Sequence, residues 1–271
     1  MKYGGFMILI RKQLYKALFL ALTITSGGFV LFSFSGRAPR TKTLFMPATG
    51  VSLPLSKENT LIAFDIHAVL VEKNKLSMGW NLFKNVGAIR FAHREDVKKH
   101  VNSVDKDSAS PEDYFMPLID IVPDIEPYIP GFLQVVNAQD PIPGMQHLLE
   151  KLNKRGYKLY ILSNIGPAAY YGWKSVKNPQ RSSKGLIDMY PHIFKHFTGG
   201  VQVASKKPLA SAYTNFINTF AKPVVEGQKL IVVFVDDKLE NILAATHQGF
   251  IGILFKNPQQ LETDLMRLGI Q

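Results

Sequence analysis

Leu61-Ile62-Ala63-Phe64-Asp65-Ile66-His67 is an apolar run that delivers a carboxylate at its end. A second run, Ile231-Val232-Val233-Phe234-Val235-Asp236-Asp237, ends in a carboxylate pair. Uninterrupted apolar runs of this length read as strands buried on both faces. The carboxyl ends of such strands are where open α/β sheets place their chemistry. Two of them side by side bring three carboxylates to one edge of a sheet. Like charges that close repel one another, and a hard cation such as Mg²⁺ is the usual remedy.

Working outward, five β-rich apolar runs stand out: residues 61–66, 157–162, 195–203, 230–235 and 250–255. Helical spacing lies between the later ones. Met145, Leu148, Leu149 and Leu152 recur at helical intervals within Gly144 to Asn153, and Gly156 follows as a stop. Leu209 to Phe220 and Leu239 to His247 are further helix candidates. Alternating strand and helix implies a parallel sheet with right-handed crossovers. Between the first two strands, however, lie residues 70 to 140, too many for a loop. The expected fold is therefore α/β, a Rossmann-like parallel sheet with a helical cap inserted after the first strand. The core spans 60–75 and 138–271, and the cap 76–137.

Composition narrows the function classes. The chain has 271 residues, a net charge of +11 and no cysteine. That excludes disulfides, thiolate metal sites and cysteine nucleophiles. Residues 1–57 hold eight Lys or Arg and no Asp or Glu, leaving 24 basic and 21 acidic residues for the rest. A nearly balanced body argues against a nucleic-acid partner. The N-terminal 1–42 reads as a signal or membrane-anchor segment. Ala17 to Phe34 carries no charge, Lys2, Arg11, Lys12 and Lys16 precede it, and Arg37, Arg40 and Lys42 follow. A membrane-anchored or exported location is expected from it. Residues 43–59 read as a linker, with Pro47 and Pro54 inside it. Oligomeric state has no signature here.

Four motifs, in order, resemble those of the haloacid-dehalogenase-like (HAD-like) superfamily, over roughly residues 60–256. The first is Phe64-Asp65-Ile66-His67-Ala68-Val69-Leu70, and the second Leu159-Tyr160-Ile161-Leu162-Ser163-Asn164. The third is Lys207-Pro208 with Tyr213 six residues beyond the lysine. The fourth is Phe234-Val235-Asp236-Asp237-Lys238-Leu239-Glu240-Asn241, with Ala244-Ala245 and Gly249 after it. Pro141-Ile142-Pro143-Gly144 is similar to the family's re-entry from its cap. The resemblance implies a phosphatase or phosphotransferase acting on a small phosphorylated substrate. Asp65 is then the nucleophile, forming an aspartyl-phosphate. Mg²⁺ is held by Asp65, the main-chain carbonyl of His67 and Asp236, with Asp237 a second ligand or an outer partner. Ser163 and the Asn164 amide donate to phosphoryl oxygens, and Lys207 balances charge. Asn241 either sits at the metal's periphery or caps a helix.

One departure matters. Two residues after the nucleophile the family's phosphatases carry a second aspartate, and here His67 stands there, with Ala68 in place of glycine. Imidazole, with an ordinary pKa near 6.5, can replace that carboxylate as acid and base. Alternatively the phosphoenzyme accumulates or passes phosphate to another acceptor. A third reading is an impaired site in a binding or scaffold protein. Carbon–halogen cleavage fits poorly, because the metal ligands Asp236 and Asp237 are kept. Within the insert, Trp80, Leu82, Phe83, Val86, Ile89 and Phe91 at near-helical spacing are expected to be core.

Overall fold

The computed structural model describes residues 42–48, 50–51, 54–103, 115–166, 170, 184–200, 205–220 and 230–270. Its strands are β1 (Leu44–Phe45), β2 (Thr60–Phe64), β3 (Val71–Lys73), β4 (Gln139–Pro141), β5 (Lys158–Ile161), β6 (Gly199–Gly200), β7 (Ile231–Asp236) and β8 (Ile251–Leu254). Its α-helices are α1 (Lys75–Lys84), α2 (Glu95–Ser103), α3 (Leu118–Ile121), α4 (Ile129–Val136), α5 (Met145–Lys154), α6 (Leu186–Met189), α7 (Pro191–Phe194), α8 (Ala210–Phe220), α9 (Leu239–His247) and α10 (Pro258–Arg267). Two 3-10 segments, Val86–His93 and Pro123–Tyr128, join helices between β3 and β4.

The main sheet has the order β1-β8-β7-β2-β5-β6, parallel throughout except for β1. The two carboxylate-terminated runs are therefore neighbours, with β2 at the centre. The period-two alternation of β2 divides its side chains between two cores. Ile62 and Phe64 join Met145, Leu149 and Leu152 of α5 and Leu261 and Leu265 of α10. Leu61 and Ala63 face Tyr213 and Phe216 of α8 and Ile242 of α9. Both faces are covered, as a parallel sheet requires.

Between β3 and β4, which pair antiparallel, the chain builds a helical insert with its own core. Phe91, Val97, Phe115, Leu118, Ile125, Ile129 and Leu133 pack there. One expectation fails in this region. Phe91 is core, but Trp80, Phe83 and Val86 are exposed. The side chains of Leu82 and Ile89 lie outside the described set. The inward side of α1 is supplied instead by Met78.

The stretch 43–59 is less of a linker than its prolines suggest. Leu44 and Phe45 pair antiparallel with Ile253 and Gly252, and Leu55 is buried. Thr43 donates its hydroxyl to the buried Asp264 on α10 at 2.6 Å. The run 195–203 yields only Gly199–Gly200 as described strand, because Pro191 opens a helical turn that ends at Phe194. Residues 201–204 lie outside the described residues, as do residues 1–41 of the segment 1–42 expected to be a signal or anchor. Among the described residues, no helix is long and apolar enough to cross a membrane.

Candidate active site

The register of the sheet assembles the site. Phe64 stands opposite Val235 on one side and Ile161 on the other. The next residue on each strand continues the ladder: the Asp65 N–H donates to the Val235 carbonyl at 2.9 Å, and the Leu162 N–H to the Phe64 carbonyl at 3.0 Å. Asp65 and Asp236 therefore leave the sheet side by side, with Ser163 one step further along the neighbouring edge. All three expected carboxylates converge. One oxygen from each of Asp65, Asp236 and Asp237 lies within 4.8 Å of the others. Asp65 and Asp236 are buried, and Asp237 is the most exposed of the three.

Lys207 joins them from the turn before α8. Its Nζ lies 3.0 Å from Asp65 Oδ1 and 2.7 Å from Asp236 Oδ2. It also lies 5.0 Å above the Phe234 ring, on the strand that carries Asp236. The lysine is buried, and removing it from water favours the neutral amine. The two carboxylates overcome that and hold its pKa above the ordinary lysine value.

Asn164 turns out to be what places Lys207. Its side-chain amide donates to the Lys207 carbonyl at 3.0 Å and accepts from the Lys207 N–H at 2.8 Å. That side chain is committed to the backbone, so any donation to a substrate falls to the Asn164 main-chain N–H. Asn241 likewise has a definite partner. Its Nδ2 donates to both oxygens of Asp236 at 3.0 Å, and the Lys238 N–H donates to Asp236 Oδ1 at 2.8 Å. Tyr213 closes this ring from α8, donating to the Asn241 carbonyl at 2.8 Å. The sequence shows both residues in the right motifs. It does not show that they steer Asp236.

Charge in the cluster is unbalanced. The Lys207 ammonium pairs with Asp65 and Asp236, and Lys238 adds attraction at Asp237. Burial pushes Asp65 up, but Lys207 and the Ser163 hydroxyl outweigh it and hold the carboxyl below its ordinary value. Asp236 carries the opposite imbalance. Burial, with the neighbouring Asp65, drives it up to about 6 despite Lys207. Asp237 is raised by burial and by Asp65. Hard oxygen donors, this spacing and surplus negative charge fit a divalent cation with oxygen preference.

His67 and Ala68 shape the mouth. The turn after β2 is tied by bonds from Val69, Leu70 and Val71 N–H groups to the Ile66 carbonyl, and from Ala68 N–H to Val71. Ala68 has φ +60°, the left-handed region that favours glycine. His67 is exposed to solvent. Close packing on its inner side pushes the imidazole below its ordinary value, while Asp65 and the Gln139 side chain pull it back up. Gln139, on β4, was not singled out from sequence. Its only signal there is its place just before the Pro141-Ile142-Pro143-Gly144 re-entry.

The four motifs thus meet at one edge of a parallel sheet, with the fourth beside the first and the second on the first's other side. The core is an α/β fold with a mostly parallel sheet, and the four motifs that resemble those of the HAD-like superfamily converge in it. No family model matches the chain. A sesquiterpene phosphatase of Aspergillus oryzae is 28% identical over 122 residues, which is 45% of this chain and 54% of that protein. The chain thus spans about half the length of the curated relative it matches. Among solved structures, a HAD-like family hydrolase of Porphyromonas gingivalis is 18% identical, covering 78% of this chain and 98% of its own, with a TM-score of 0.45. A HAD family enzyme of Bacteroides thetaiotaomicron, solved with magnesium and inorganic phosphate, is 12% identical over 73% of this chain and 94% of its own, with a TM-score of 0.43.

Proposed function

We propose that the chain is a Mg²⁺-dependent phosphohydrolase or phosphotransferase that works on a small phosphorylated substrate through Asp65. The observation that carries this reading is the convergence of Asp65, Lys207, Asp236 and Asp237 at one buried sheet edge. The curated relative, named as a phosphatase, supports a phosphorylated substrate.

Asp65 attacks phosphorus with a carboxylate oxygen. The P–O bond to the leaving group breaks as the Asp65–phosphorus bond forms, giving an aspartyl-phosphate. The depressed pKa of Asp65 keeps that oxygen anionic and ready. Lys207 and Ser163 face the phosphoryl oxygens, where negative charge gathers in the transition state. Mg²⁺, when bound by Asp65, the His67 carbonyl and Asp236 with Asp237 beside them, supplies further neutralisation of those oxygens. Water then attacks phosphorus, His67 accepts its proton, and the Asp65 carboxylate is released with inorganic phosphate. For a poor leaving group the same imidazole, protonated, donates to the departing oxygen. The helical insert between β3 and β4 acts as the cap and sets substrate choice.

Hydrolysis of an aryl phosphate by the full chain, with Mg²⁺ or with EDTA, tests this. Turnover that needs Mg²⁺ and disappears in Asp65→Asn is expected. Turnover that survives Asp65→Asn, or that ignores EDTA, sinks the mechanism. A folded, Mg²⁺-binding protein with no turnover on any phosphate ester, and none after His67→Asp, belongs instead to the binding or scaffold class.

A further inference from the structure

The first helix of the insert leaves a row of large apolar side chains in water. Leu76, Trp80 and Phe83 are spaced by four and three residues, so they share one face of α1. They are 88%, 60% and 55% exposed, and Val86 just beyond the helix is 48% exposed. The opposite face is the one that packs, through the buried Met78, against the insert. The Trp80 and Phe83 rings stack, with centroids 6.0 Å apart and planes 20° from parallel. The cationic residues are placed to match. Lys75 opens the helix, Lys84 closes it, and no acidic residue lies between them. The Lys84 ammonium sits 5.3 Å above the Trp80 ring. Arg90 follows on the next segment, 4.6 Å above the Phe91 ring.

We propose that this face of α1 docks on an anionic lipid bilayer. The row stands open to water along a single helix face. Indole and phenyl rings at the headgroup boundary, with lysines reaching from the same helix toward lipid phosphates, are the chemistry of an interfacial helix. The charge is complementary to an acidic leaflet, where each basic residue adds attraction. The chain carries a second apolar, basic-flanked stretch at Ala17 to Phe34. One weak membrane signal gives marginal binding, and two give stable attachment. The inference is independent of the phosphohydrolase reading, since none of these residues belongs to the carboxylate cluster.

The chain has two tryptophans, so Trp173→Phe leaves Trp80 as the sole reporter. The full-length variant is reconstituted into phosphatidylcholine–phosphatidylglycerol vesicles with or without brominated acyl chains. The expected result is a blue shift of Trp80 emission and quenching by the brominated lipid. That quenching weakens in pure phosphatidylcholine and in the Lys75→Glu/Lys84→Glu pair, and is lost in Leu76→Ser/Phe83→Ser. An unchanged circular dichroism melt for these variants shows that they still fold. Trp80 that stays unquenched while the chain floats with the vesicles overturns the proposal. So does Trp80 already shielded from acrylamide without lipid, which means that residues 17–34 or a second copy of the chain covers the face.

Discussion

Two residues of the first motif, His67 and Ala68, depart from the pattern that the motif resembles, and each supports a prediction. His67 is exposed and held below its ordinary value, so the imidazole is neutral near pH 7. A neutral imidazole is competent as a base at once, and the base is lost as pH falls through its pKa. With an aryl phosphate, whose leaving group needs no proton, turnover should hold at neutral pH. It should decline only below the ordinary histidine value of about 6.5. The pH–rate profile measures this, and in His67→Asp the acid limb should move toward the carboxylate range. A wild-type limb well above pH 7 would mean that His67 is not the group being titrated. Ala68, at φ +60°, holds a conformation that costs an L-residue about 1–2 kcal/mol and glycine almost nothing. Ala68→Gly also adds freedom to the unfolded chain, which returns about 0.4–1 kcal/mol of that gain. The net expectation is a more stable protein by ~1 kcal/mol, read as a rise of about 2–4 °C in Tm. The sequence shows the glycine missing. That the backbone there keeps the glycine's conformation is visible only in the structure.

At the scale of elements, legibility follows the strength of the local pattern. The β2 and β7 runs and the helices α5, α8 and α9 were readable because both sheet faces are buried and the helical apolar spacing is unbroken. Strand β1 was not, since two residues carry no period and its identity comes from pairing with β8. Helix α10 had a signal that went unread: Asn257 caps it, accepting from the Gln260 N–H at 2.8 Å, Pro258 opens it, and Leu261, Leu265 and Leu268 follow at steps of four and three. The exposed row on α1 misled because apolar spacing reports that a face is apolar, not what it meets. Another link between elements was hidden for a different reason. Asn164 follows β5 and Lys207 precedes α8, yet two hydrogen bonds lock them together. Asn164→Ala leaves a backbone N–H and carbonyl of Lys207 without those partners, at a cost of about 1–3 kcal/mol. It should also lower kcat more than it raises KM, because Lys207 loses its fixed approach to Asp65 and Asp236. Denaturant melts and steady-state kinetics check both halves. Asn164→Asp keeps one of the two bonds and should recover part of the loss.

Over the whole molecule, the carboxylate cluster ties stability to pH and to cations. Asp65 is depressed, so its contribution is present above the usual carboxylate range and lost only in stronger acid. Asp236 has the opposite sign. Its folded pKa of about 6 lies above its unfolded value, so its charged form opposes folding at neutral pH, and that opposition fades as pH falls through about 6. Asp237 shifts in the same direction. Asp236 and Asp237 should therefore add stability to the metal-free chain between pH 7.5 and pH 5, against an opposing loss from His67 and His196, which are held below their ordinary values, so the gain is read as the difference from Asp236→Asn. A divalent cation acts on the same charges and binds the folded chain, raising stability by about 2.7 kcal/mol at a hundredfold excess over its Kd. Protonated Asp236 is a poor ligand, so this increment should be large at pH 7.5 and shrink toward pH 5. Thermal melts with MgCl₂ or EDTA at the two pH values read the coupling directly. Asp236→Asn should remove the Asp236 share of the pH effect and the cation effect together, raising the melting temperature without metal at pH 7.5 and abolishing the rise on adding Mg²⁺. A cation increment that persists in Asp236→Asn would place the binding somewhere other than this cluster.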